Sequence, residues 1–236
     1  MNVHSEKGGG GGHRGHRSGA ASAKKRGRPR TGGKREEILD AALRLFTDRG
    51  YHGTTIPEIA AKAGVATGTI YSHFLGKEHV VNVLYRRTKQ RMIDQVLSGL
   101  PGPGTVRYQF HQLWSRLRAF EKADPVAFTF LELHHHADYL DRKSRVLELE
   151  SLLPVARFLE AAARDGHVRR MSPPAMMAMV WGAFVGLVKA QRVGYLHFSE
   201  DLSAQVEQTL WDAIRPRAGT AGAAGAAHGP PAGTER

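Results

Sequence analysis

Two short helical segments parted by a glycine set the first limit on what this chain can become: TTIPEIAAKAGVATGTIYSHFLGKE, residues 54–78. Thr55 and Glu58 stand three apart, the spacing of a capping box in which a hydroxyl and a carboxylate satisfy the amides that open a helix. Ile56, Ile59, Ala60 and Ala63 then recur at three- and four-residue steps, so a helix starts near Ile56 and buries that face. Gly64 supplies the backbone freedom that ends it. Val65 plugs the corner. Residues 67–74 form a second short helix, with Ile70 and Phe74 inward and Thr67, Thr69, Tyr71, Ser72 and His73 outward. Two short helices joined by such a turn are the arrangement that reads DNA, although a small helical corner of any protein shares the pattern.

Charge favours the DNA reading. The formal net charge is +12 and the isoelectric point about 10.3, which suits polyanionic partners. Lys7, Arg14, Arg17, Lys24, Lys25, Arg26, Arg28, Arg30, Lys34 and Arg35 face only Glu6 in the first 35 residues, so about +9 of the +12 precedes the first helix. The expected organisation is a disordered, basic, Gly-rich arm over residues 1–33, a DNA-binding domain over 34–80, a helical domain over 81–215 and a disordered Ala/Gly/Pro tail over 216–236.

The body reads as all-α. KREEILDAALRLFTDRG puts Ile38, Ala42, Leu45 and Phe46 on one face and ends on Gly50. A longer helix follows from Lys77 to about Leu97, then the loop LPGPG, a helix through Val106, Phe110, Leu113, Leu117 and Phe120, and one over residues 125–139. Residues 144–164 make a long helix bent at Pro154. Ser172 and Pro173 open SPPAMMAMVWGAFVGLVKAQRVG, where Ala178, Gly182, Gly186 and Ala190 form a stripe of small residues that lets another helix approach closely. With the last helix, residues 202–214, that stripe fits a four-helix interface between two copies; packing within one chain is the alternative.

REEILDAALRLF, GYHGTT, IAAKAGVATGTIYSHF and GKE together resemble the N-terminal domain of TetR-type transcriptional regulators. The resemblance implies an all-helical homodimer: a three-helix helix-turn-helix DNA-binding domain, a connecting helix, then a ligand-binding and dimerisation domain. By the same resemblance Tyr71, His73 and Lys77 contact DNA phosphates, while Thr67, Gly68, Thr69 and Ser72 lie against base edges; Thr55, at the head of the first of the two helices, is counted with them as a DNA-binding residue. Ala66 occupies a place where a capping Ser or Thr is common, and Pro57 one where some members carry a base-reading Arg. In the arm, the RGRP core of KKRGRPR resembles an AT-hook, which would lay Arg26 and Arg28 along a minor groove; a solvated basic tail is the plainer reading.

Phe110, Trp114, Leu117, Phe128, Leu131 and Trp181 are more large apolar side chains than three helices need to touch, and His134, His135 and Tyr139 are the nearest polar groups. They predict a site for a small apolar or amphipathic effector, against a filled core. The run His134 to His136 with Asp138 offers ligand-type atoms, but consecutive residues on a helix diverge, so no metal and no cofactor is expected. Enzyme chemistry finds no support: the chain has no cysteine, no Ser nucleophile stands out, and GGGGG lacks the Gly-Lys-Ser/Thr of a phosphate loop. No run of 18 apolar residues and no signal segment argues for membrane or export, which places the protein in the cytoplasm. The reading is a ligand-released repressor on a palindromic operator; the alternative is an architectural DNA-binding protein with no effector.

Overall fold

The computed structural model describes residues 33–132 and 138–216. The arm with Arg26 and Arg28, residues 217–236 of the tail, and His134 to His136 lie outside that set. The described residues form helices α1 (Lys34–Arg49), α2 (Ile56–Ala63), α3 (Thr67–His73), α4 (Lys77–Val96), α5 (Val106–Ala123), α6 (Pro125–Glu132), α7 (Arg142–Arg164), α8 (Pro173–Val193) and α9 (Glu200–Ile214), with no strand among them.

Helices α1 to α3 close over one apolar centre. Ile38, Leu39, Ala42 and Phe46 of α1 meet Ile59 and Ala60 of α2 and Ile70 of α3, with Phe74 just beyond α3, all 2 % exposed or less. Burial of each large side chain contributes about 1.5–3 kcal/mol. The capping box forms in full: the Thr55 hydroxyl accepts from the Glu58 amide while Glu58 accepts from the Thr55 amide at 2.8 Å. Gly64 takes φ 68°, ψ 32°, the left-handed conformation that lets its N–H return to α2.

The same core continues without a break into the second region. Helix α1 packs on α4 and α6 as well as on α2 and α3, and α4 packs on α5, α6 and α7. The expected boundary at residue 80 therefore falls inside a single 20-residue helix. A second apolar cluster gathers Phe110, Phe158, Leu159, Met176 and Ile214 from α5, α7, α8 and α9. Rings of Trp114, Phe128 and Phe198 surround Phe184 of α8 with centroids 5.2–5.7 Å away. Helix α8 is 21 residues, long and apolar enough by composition to cross a membrane; within it Met176, Phe184, Val188 and Ala190 are buried.

Two elements differ from the periodicity. The helix expected over residues 125–139 is described only to Glu132, and Asp138 and Tyr139 form a turn. A buried side chain on α4 holds that turn: Asn82 donates to the Tyr139 carbonyl at 2.7 Å and accepts from the Asp141 amide at 2.8 Å. Asp141 is thereby placed to cap α7, accepting from the Ser144 amide at 2.8 Å, so α7 starts at Arg142 and runs on through Pro154. Burial pushes the Asp141 carboxyl up, but the Ser144 amide and the Arg86 guanidinium outweigh it and hold the group below its ordinary range.

Candidate functional site

The outer face of α3 is a short polar ridge. Thr67, Gly68, Tyr71, Ser72 and His73 are exposed and Thr69 is half-buried, while Ile70 beneath them is fully buried. No side chain caps the start of α3, because Ala66 has none to offer. Ser72 donates to the Thr69 carbonyl at 2.7 Å. Thr55 is exposed too, but its hydroxyl donates to Glu58 and accepts the Glu58 amide, so its observed work is to hold α2 in place. Lys77 is folded inward. Its ammonium donates to the carbonyls of Tyr51 at 2.9 Å and Thr54 at 3.0 Å and lies 4.2 Å from the centre of the Tyr51 ring. Two of its three protons are engaged inside the domain before any phosphate arrives.

The second site is a cavity of about 440 Å³ in the helical region. Phe110, Trp114 and Leu117 of α5 and Trp181 of α8 line it, as the sequence suggested. Phe128 and Leu131 do not. Phe128 is completely buried between the rings of Trp181 and Phe184, because α6 turns that face into the core. Tyr139 is elsewhere as well, stacked on Tyr51 at 4.2 Å where the second region meets the loop after α1; burial raises its hydroxyl to about 12. His134 and His135 fall outside the described residues.

The wall also contains residues that the apolar reading passed over. Met92, Ile93 and Val96 come from α4, Leu152, Val155, Phe158 and Leu159 from α7, and Met176 and Met177 from α8. Its polar members are Lys89, Glu132, Glu148 and Ser151. Lys89, 5 % exposed, pairs with Glu148 at 2.8 Å and faces Glu132 at 3.8 Å. The Tyr85 hydroxyl donates to Glu148, and the Trp181 indole donates to Glu132 at 3.1 Å. Burial is the largest influence on Glu132 and raises its carboxyl above the ordinary range against the pull of Lys89. A signal for this cluster existed in the sequence: Tyr85, Lys89, Met92 and Val96 step by four, three and four, placing a lysine on the apolar stripe of α4.

Comparison with known proteins covers both regions of the chain. The profile for bacterial regulatory proteins of the tetR family matches residues 38–84, and that for the tetracyclin repressor-like C-terminal domain matches residues 85–216. The HTH-type transcriptional repressor KstR2 of Rhodococcus jostii is 44% identical over 146 residues, 58% of this chain and 69% of that protein. Among solved structures, the ketosteroid transcriptional regulator KstR2 of Mycobacterium tuberculosis superposes with a TM-score of 0.65 at 16% identity, covering 80% of this chain and 98% of the other. FadR of Bacillus subtilis, solved with stearoyl-CoA, gives 0.62 at 21% identity over 76% and 99%; these two likenesses speak for the fold. With profiles matched from residue 38 to residue 216, the chain is a DNA-binding transcriptional regulator and belongs to the TetR family.

Proposed function

We propose that the protein is a repressor that binds a pseudo-palindromic operator as a homodimer and releases it when an apolar or amphipathic effector fills the cavity. The observation that carries this reading is the course of α4. Its first turn, through Lys77, holds the loop that positions α2 and α3, and the same helix lines the cavity with Lys89, Met92, Ile93 and Val96. Twelve residues separate the two lysines, about 18 Å at the helical rise. The Tyr51–Tyr139 stack gives a second connection between the regions, and the Asn82 bonds tie α4 to the turn that carries Tyr139. An effector shifts the equilibrium only by its differential affinity for two arrangements of this lever, and a coupling of about 1–3 kcal/mol means a 5- to 150-fold loss of operator affinity.

In this reading Thr67, Gly68, Thr69 and Ser72 face base edges, Tyr71 and His73 hold phosphates, and the remaining proton of Lys77 reaches one more. Thr55 sits beside them as the cap of α2. Two such ridges require two copies, and the exposed stripe of Ala178, Gly182 and Gly186 on α8, beside α9, offers a face for the second. The basic arm adds phosphate contacts, with Arg26 and Arg28 in a minor groove if the hook operates. A ketosteroid regulator and a stearoyl-CoA complex among the relatives support an effector with much apolar surface. The architectural alternative gives the cavity no purpose.

Footprinting on the DNA upstream of the protein's own gene, followed by titration with candidate effectors, tests the proposal. A two-fold protected site that disappears on effector addition is expected; binding in proportion to DNA length, with no preferred site, overturns it. Deleting residues 1–33 should flatten the salt dependence by about 0.9 for each phosphate that the arm neutralises, and leave the preferred sequence unchanged.

A further inference from the structure

A cavity that holds an apolar molecule needs no charge in its wall, yet this one has three charged side chains at one place. Among its described lining residues Lys89 is the only cation, against Glu132 and Glu148. Glu148 takes the Lys89 ammonium at 2.8 Å and the Tyr85 hydroxyl. Glu132 is held by one oxygen only. Its Oε2 accepts from Trp181 at 3.1 Å, while its Oε1 stands 3.8 Å from Lys89, beyond hydrogen-bond reach. The side chain is 12 % exposed and lines the cavity, where a carboxylate oxygen with little access to water gains from a donor supplied by whatever fills the space. Because 3.8 Å is less than two hydrogen-bond lengths of about 2.8 Å, an oxygen set to one side of Glu132 Oε1 and Lys89 Nζ, on the cavity they line, can bond to both.

Taking the cavity as the effector site, we propose that Glu132 selects the effector's head group: the ligand is a neutral, largely apolar molecule ending in a hydroxyl, which donates to Glu132 Oε1 and accepts from Lys89. A hydroxyl is the simple head group that suits both forms of a carboxyl whose proton affinity burial has raised, since it donates to the carboxylate and accepts from the acid. A ketone or ester only accepts, so it leaves the ionised Glu132 oxygen without a proton. A ligand carboxylate brings a third negative charge to a wall with one described cation. The body of the ligand lies along Met92, Val96, Leu113 and Phe158, which impose no polar requirement.

The test uses the full chain at pH 8 without DNA, following tryptophan fluorescence, since Trp114 and Trp181 both line the cavity. Two matched sets are titrated: dodecanol, methyl dodecanoate and dodecanoate, and a rigid pair, androstanol and androstanone. The better-fitting alcohol is expected to bind about tenfold or more tightly than its acceptor-only partner, with dodecanoate weakest. Glu132→Gln keeps the shape and an acceptor for Trp181 but removes the charge, so the alcohol's advantage should shrink and dodecanoate should gain; a purely structural role would weaken every probe alike. An ester, ketone or carboxylate that binds the unaltered protein as tightly as the alcohol, or no binding by either alcohol, overturns the proposal whether or not the variant folds. Operator is added only afterwards. An alcohol that binds and leaves the operator complex intact keeps this inference and removes ligand release, whereas dodecanoate that binds best and releases DNA does the reverse.

Discussion

The two lysines of α4 serve opposite regions. Lys77 holds two backbone carbonyls from the loop before α2, so it fixes a structure whose turn signals are specified within a few residues: a capping box, a left-handed glycine, an apolar face at helical spacing. Lys89 pairs with the Glu148 carboxylate of α7 and faces that of Glu132 on α6, and the wall around it is drawn from six helices, α4 to α9. The helix-turn-helix itself is thus specified locally, and Lys77 and the Tyr51–Tyr139 stack join it to the rest. The cavity end is assembled from distant pieces and keeps charge inside an apolar enclosure.

Substitutions can break or sharpen that contrast. The largest effect is expected where a residue of the cavity region is core and not wall. Phe128→Ala should cost about 3–5 kcal/mol, because the ring is fully enclosed and its neighbours cannot collapse into the space. Leu152→Ala, on the wall and 42% exposed, should cost less than about 1 kcal/mol. Equal losses in denaturant unfolding would mean that the cavity is no more open than the core.

Lys77→Met comes next. Two carbonyls lose a charged donor, so a loss of about 1–3 kcal/mol is expected, with weaker operator binding as its consequence. If Lys77 acted on phosphate alone, thermal stability would be unchanged and only the salt slope would fall, by about 0.9. Gly64→Ala should cost about 1 kcal/mol, since a Cβ there meets no atom within 4 Å and the penalty is that of the left-handed backbone. A stability change much above that would show that the turn depends on more than its own backbone.

The smallest effect concerns pH. The Glu132 carboxyl is raised in the folded protein, so its contribution is fully present below its ordinary range and is lost as pH rises through the folded value. Glu132→Gln carries no such dependence. Its melting temperature relative to the unaltered protein should therefore climb from acid to neutral pH; a flat difference would mean that Lys89 cancels the burial.

Much of the first region was legible because its signals are short-range. Thr55 with Glu58, Gly64, and the inward pair Ile70 and Phe74 are fixed by neighbours no more than four residues away, and the structure has each where the spacing put it. The cavity was legible only in part. Counting large apolar side chains found Phe110, Trp114, Leu117 and Trp181, but could not separate them from Phe128 and Leu131, which share their chemistry and differ only in what faces them.

By itself the sequence determined the helices, the turn between α2 and α3, the exposed ridge above Ile70 and the charge of the arm, since caps, periodicity and net charge are properties of the chain whatever it packs against. Tertiary structure alone decided that Asn82 would hold the turn at Tyr139, that Lys77 would turn inward, that Tyr139 would stack on Tyr51 and not line the cavity, and that Lys89 would meet Glu132 and Glu148. Each of those contacts joins residues more than 20 positions apart. Their geometry is set by how whole helices pack, and no local spacing encodes it.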